Sequence, residues 1–297
     1  MTVALRRLLP GSLAGALVLA LSVGNAPAWA GDPFRSRNER PISDTTEAAF
    51  EAAFRAGDYP LAAQKLRAAE GDDPLLYALR AAMAYTERDW QGFQRNGRQT
   101  LERAQALRSQ DPLRGELYTA VGHFLVGAYT YKQQDGFSLG LLNRFRQALQ
   151  ALDEAERIDP QDPEMNLVSG FIELLLAANF PWQSAQAPIE NLKERAAPDY
   201  LAYRGVALGY RDTERYEQAL QFAERALEKL PDNPELQHLK GQILYRMGRK
   251  RQDPAAIERA IASFEQALAQ KDQVPASYVS QWEQERREAQ QLLQARR

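Results

Sequence analysis

One spacing recurs along this chain and limits what it can fold into. Ala219, Ala226 and Pro231 lie at offsets 0, 7 and 12. Ala148, Ala155 and Pro160 repeat those offsets, as do Ala62, Ala69 and Pro74, and Ala260, Ala267 and Asp272 repeat them with Asp in the last place. An aromatic residue stands three before the first Ala in three copies: Tyr59, Phe145 and Tyr216. A bulky residue stands four after it in three: Leu66, Leu152 and Phe264. Two small residues seven apart share one face of a helix, and fixed self-similarity is the mark of a repeat architecture. Helical periodicity covers residues 44–296, with short Pro, Gly and Asp clusters between segments. Asp73-Pro74, Asp111-Pro112, Asp162-Pro163, Asn233-Pro234 and Asp253-Pro254 read as helix starts, the polar side chain capping and Pro fitting the first turn. No alternating strand pattern competes, so the expected class is all-α.

Residues 1–30 read as an export signal rather than as part of the fold. Arg6 and Arg7 precede an uncharged apolar stretch from Leu8 to Val23, and Asn25–Ala30 offers a small-x-small site with cleavage after Ala30. That stretch holds Pro10, Gly11 and Gly15, and its length of about 16 residues is short for a membrane span. No integral span is expected after cleavage. The expected location is therefore an exported one, a periplasm or an equivalent lumen. Residues 31–42, with Arg35, Arg37 and Arg40 around Pro33 and Pro41, read as a flexible arm.

Composition narrows the chemistry. The chain has 297 residues, no Cys and two His. Disulfides, thiolate metal sites and cysteine nucleophiles are excluded, and His-based catalysis has little to work with. Lys plus Arg is 37 against 39 for Asp plus Glu, which gives no electrostatic footprint for nucleic acid. Loss of residues 1–30 removes two Arg and no acid, leaving 35 basic against 39 acidic side chains. An exported chain without cysteine must be held by packing alone. His123 sits in an apolar stretch and reads as a packed helix residue; His238 is isolated, so no metal site is expected. Asp72-Asp73 and Asp153-Glu154 read as caps or helix faces, and Arg249-Lys250-Arg251 as a solvated basic tip.

The spacing resembles the tetratricopeptide (TPR) family of 34-residue helix–turn–helix units. The best copy is residues 200–233, with Tyr203, Ala207, Tyr210, Tyr216, Ala219, Ala226 and Pro231. A second unit starts at Pro234, with Gly241, Ala260, Phe264 and Ala267, and residues 248–254 insert about seven residues between its helices. Residues 43–76 make a third, turning at Gly57-Asp58-Tyr59. Residues 77–110, 112–160 and 163–197 depart from the pattern; the second carries a long connection at 134–141, and the third has Pro188 in its second helix. The resemblance implies a right-handed α-solenoid of about six helix pairs over residues 43–272, closed by a charged capping helix over 273–297.

It also implies a concave groove, lined by the first helix of each pair, that binds another protein. Matching that face onto this chain gives Leu167, Phe171, Leu201, Arg204, Leu208, Arg211, Glu235, His238, Gln242 and Tyr245. The groove would be apolar toward the middle and polar toward the C-terminal end. The implied function is an exported, non-catalytic scaffold, an adaptor or assembly factor without cofactor. The alternative is the helical arm of a cell-envelope glycan-handling enzyme or complex, for which Glu173, in the apolar run Phe171–Leu176, is the candidate acid. Self-assembly through exposed ends is a third reading.

Overall fold

A computed structural model describes residues 31–134, 139–179 and 184–296. Thirteen α-helices and no strand occur among these residues. They are α1 (Asp44–Phe50, continued by a π-helical turn Glu51–Ala56), α2 (Tyr59–Ala68), α3 (Pro74–Thr86), α4 (Trp90–Leu107), α5 (Pro112–Gln134), α6 (Leu139–Ile158) and α7 (Pro163–Asn179). The row continues with α8 (Gln186–Arg195), α9 (Asp199–Asp212), α10 (Tyr216–Lys229), α11 (Pro234–Arg251), α12 (Pro254–Leu268), a 3-10 turn at Lys271–Gln273, and α13 (Ala276–Gln294). Expected helix starts appear as caps. Asp73, Asp111, Asp162, Asn233 and Asp253 each accept a hydrogen bond from a first-turn backbone N–H while Pro occupies the first helical position, satisfying donors that a helix start otherwise leaves unpaired.

Each helix packs on the next. The odd-numbered helices also pack on one another in order, α1 on α3, α3 on α5 and so on to α13. Even-numbered helices make no comparable chain of contacts among the described residues. The odd helices therefore form one continuous layer, and each even helix covers the seam behind it. The repeated alanines explain the close approach. Ala62, Ala69, Ala148, Ala155, Ala219, Ala226, Ala260 and Ala267 are all at most 2% exposed. Gly241 acts alike: a methyl there would lie 2.6 Å from the Phe264 ring.

Three sequence expectations are corrected. Residues 31–42 are not a free arm. Phe34 and Ile42 are buried, and Phe34 meets Phe50 edge to ring at 5.0 Å. The insertion at 248–254 is not a loop: it lengthens α11 to Arg251, after which Gln252 takes the left-handed conformation and Asp253 caps α12. The connection expected at 134–141 is shorter, because α6 already starts at Leu139; its residues 135–138 lie outside the described residues. The departure at Pro188 is absorbed at a helix start, as the third residue of α8, and within the irregular stretch 77–110 Trp90 opens α4.

The row also meets itself. The α1–α2 turn touches the start of α11, where Asn233 Nδ2 donates to the Phe54 and Arg55 carbonyls at 3.2 and 3.0 Å. Tyr59 Oη donates to Glu235 at 2.9 Å, and its ring lies 5.6 Å from Tyr278 of α13. Ser277 Oγ donates to the Thr86 carbonyl at 3.2 Å. The last helix is anchored as well as charged: Trp282, Ala289 and Leu293 lie along one buried stripe.

Candidate functional site

Two cavities adjoin between the odd helices. The first, of about 470 Å³, is apolar and is walled by α7 and α9 through Phe171, Ile172, Leu174, Leu208 and Gly209, with Phe124 of α5 at its edge. The second, of about 340 Å³, is polar and lies between α9, α11 and α13, with Arg204, Glu235, His238, Gln242 and Trp282 among its walls. Leu208 and Arg211 belong to both. A third hollow, of about 650 Å³, shares Tyr278 and Gln281 with the second and reaches Tyr85, Trp90 and Lys132. Joined through these shared wall residues, the three line up as one trough: apolar, then polar, then a further polar stretch that carries the rings of Tyr85, Trp90 and Tyr278.

Most of the residues matched to a groove face line this trough. Phe171, Leu208 and Arg211 line its apolar part, and Arg204, Leu208, Arg211, Glu235, His238 and Gln242 its polar part. Leu167 and Leu201 do not reach it; at 4% and 5% exposure they belong to the core. Tyr245 is half-buried, 5.7 Å beneath the Arg249 guanidinium.

The polar part is a connected set of hydrogen bonds. Arg204 Nη2 pairs with Glu235 at 2.5 Å. His238 Nε2 donates to Glu285 at 2.6 Å, and the imidazole stacks on Trp282 with centroids 4.6 Å apart. Gln242 Nε2 donates to both Glu285 oxygens, while its own carbonyl oxygen accepts from Arg211 at 2.7 Å. Burial would raise the Glu285 carboxyl, but hydrogen bonds from His238, Gln281 and Gln242 overcome it and hold that carboxyl below the usual range. Arg211 also pairs with Asp212 at 2.8 Å. Sequence reading missed the contribution of α13. A single Trp in a charged helix, with Ala289 and Leu293 at offsets 7 and 11, was the available signal. It also missed Tyr85, Trp90 and Phe93, whose rings cluster at 5.6 to 6.4 Å with Lys132 over Trp90.

Neither histidine has the company a metal needs. No group of three His, Asp or Glu side chains with ligand geometry occurs among the described residues. His123 Nδ1 accepts from Arg144 at 3.2 Å, and burial, with Arg144 and Arg108 nearby, lowers its basicity. Glu173 carries a carboxyl pushed up to about 7 by burial and by the neighbouring Glu156 and Asp153. Those neighbours place it among acidic groups of α6, and it is not a wall of the apolar cavity. Residues 180–183, which follow α7, lie outside the described residues. The basic tip is tied back: Lys250 pairs with Glu214 and Arg251 with Glu217.

A second polar cluster lies at the start of α3, α5 and α7, and it is closed. Arg35 bonds Asp162 through Nε and Nη2 at 3.0 and 2.6 Å, and Asp32 and Glu164 through Nη1 at 3.0 Å each. Arg114 bonds Glu164 at 3.1 Å and Asp73 at 2.9 and 3.1 Å. Tyr118 Oη donates to Glu164 at 2.6 Å. Glu164 is fully buried; burial would raise its carboxyl, yet Arg114, Arg35 and Tyr118 hold it low. Asp73 and Asp162 also cap their helices, so the positive helix ends share in balancing them.

Among the described residues no helix is long and apolar enough to cross a membrane. No family model, curated protein or solved structure matches this chain.

Proposed function

We propose that this chain is an exported, non-catalytic scaffold that binds an extended segment of another protein in the trough. On this reading the fold is a right-handed TPR-type α-solenoid of six helix pairs closed by α13, and residues 1–30 are removed in a periplasm or equivalent lumen. The carrying observation is the trough itself. It runs from α7 through α9 and α11 to α13, apolar at one end and polar over the rest, with Tyr85, Trp90 and Tyr278 at its far end. A peptide laid along it would bury apolar side chains near Phe171 and Leu208 and meet the partly exposed Arg211 guanidinium. Such grooves hold segments through a few anchors, the rest supplying fit. The continuous odd-helix layer and the buried alanine pairs support the solenoid, since stacked repeats bury a face that no single pair can bury alone.

The test is site-specific photocrosslinking in the producing cell. A crosslinker at Leu208 or Gln281, inside the trough, is expected to capture the same protein. One at Glu228, exposed on α10, is expected to capture none. Equal capture at Glu228, or none from the trough, would overturn the assignment. A glycan-handling role draws only on the raised Glu173 carboxyl; its position away from the trough disfavours it.

A further inference from the structure

The packed N-terminal segment begins at a nitrogen already seated on a carboxylate. Gly31 N donates to Glu47 Oε2 at 3.0 Å. Glu47 lies on α1 and is buried. Burial raises its carboxyl; the Gly31 N–H lowers it, and Asp44, Asp32 and Glu39 raise it again. Glu51, one turn on, is a further carboxylate in its field. The nearby cations are engaged with other acids. Arg35 holds Asp32, Asp162 and Glu164, Arg40 holds Asp111, and Arg55 pairs with Glu51. Negative charge thus gathers around the Gly31 nitrogen, and a peptide N–H answers it with one donor and no charge.

The compact unit of residues 31–297 also begins at Gly31, and the sequence site for processing, Ala28-Trp29-Ala30, ends at the residue before it. We propose that Glu47 is the receptor for a new N-terminus. Hydrolysis of the Ala30–Gly31 peptide bond by a signal peptidase leaves a carboxylate on Ala30 and an amine on Gly31. Protonated, that amine pairs with Glu47 and fixes the start of the arm. This rests on the export reading above. The α-ammonium brings three donors and a full charge to the place where the amide brought one donor. Processing thereby converts an under-compensated acidic cluster into an ion pair, and residues 32–42 are held at Gly31 as well as at Arg35.

The sign of the pH dependence follows. A free α-amine titrates near 7.7–8.0, and a neighbouring carboxylate raises that value in the folded chain. The added stability is present below about pH 8 and disappears as pH rises through the raised value. The group facing the amine is Glu47; Asp44, Asp32 and Glu39 act on the Glu47 carboxyl in turn, with Glu51 beyond.

Intact mass and N-terminal sequencing of protein from the producing cells should show a chain starting at Gly31. Two proteins are then compared, one starting at Gly31 and one at Ala30, which moves the ammonium one residue away. At pH 6.5 the Gly31 protein should melt about 2–4 °C higher, the shift that a single ion pair of this kind gives in a chain of this size. The gap should close above about pH 9.5, and Glu47→Gln should abolish it. A native start elsewhere overturns the export reading and this proposal together. A native start at Gly31 with no gap, or with a gap that survives Glu47→Gln, overturns the Gly31–Glu47 pairing alone. Should Glu47→Gln not fold, the pH dependence of selective N-terminal acylation of the wild type decides: an apparent amine pKa above about 8 supports the pairing, and one at or below it overturns it.

Discussion

The two polar clusters use similar residues to opposite ends. Around Glu164, two arginines meet four carboxylates and a tyrosine, and the side chains of Arg35, Arg114, Asp162 and Glu164 are at most 5% exposed. Around Glu285, the side chains of Arg204, Arg211, His238 and Glu285 are 11–23% exposed. The first cluster joins three helix starts and the N-terminal segment, and its donors point inward. The second spans α9, α11 and α13, and its donors edge a cavity. Burial on its own does not make a charge cluster a site. A closed cluster is structural, because nothing can enter without breaking it, whereas an open one has hydrogen-bonding capacity left over.

That contrast can be broken experimentally. The largest effect is expected at Arg114→Ala, which leaves the buried Glu164 and the partly buried Asp73 each short of a partner. Breaking such a pair typically costs about 3–5 kcal/mol, and urea denaturation should show that loss; a cost under about 1 kcal/mol would remove the closed cluster from the account. Glu173→Gln should stabilise the chain by about 2 kcal/mol at pH 8.5 and have little effect at pH 4. The sign follows because its carboxyl is raised to about 7. The folded chain binds the proton more tightly than the unfolded one, so stability falls as pH rises from about 4.5 to about 7. A loss of stability at pH 8.5 would contradict the assigned environment. Ala219→Leu should overpack the α9–α10 seam by about 1–3 kcal/mol, read as a lower melting temperature. Arg211→Ala should cost about 0.5–1.5 kcal/mol, through loss of its hydrogen bond to Gln242, while weakening partner capture; unchanged capture would count against the open cluster. Arg204→Ala is a poorer probe of binding, because it strands Glu235.

What the sequence made legible was local or periodic. The alanine pairs, the Asp-Pro and Asn-Pro caps and the Gly57 turn all recur in the structure, since each depends on residues within one or two turns. The trough was legible in part: Leu208 and Arg211 fall on the shared wall because periodicity assigns a helix face. Leu167 and Leu201 were misplaced, because a face wide enough to meet two neighbours is partly core. The N-terminal segment was misread, because Arg35 finds Asp162 127 residues away and Glu164 129 residues away. No spacing within residues 31–42 encodes that. Phe34, an apolar residue amid charges, was the available signal.

The contact between the α1–α2 turn and α11 has a mechanical consequence. In an open row of helices each unit leans only on its neighbours, and the row can melt inward from either end. Here residues 176 positions apart share a hydrogen bond, Tyr59 to Glu235, so α1 and α2 cannot detach without disturbing α11. Such tethering suppresses end fraying, and loop closure over that distance slows folding. The chain should therefore unfold in one cooperative step, resisting a pull on its termini as a clasped loop does rather than as an open spring.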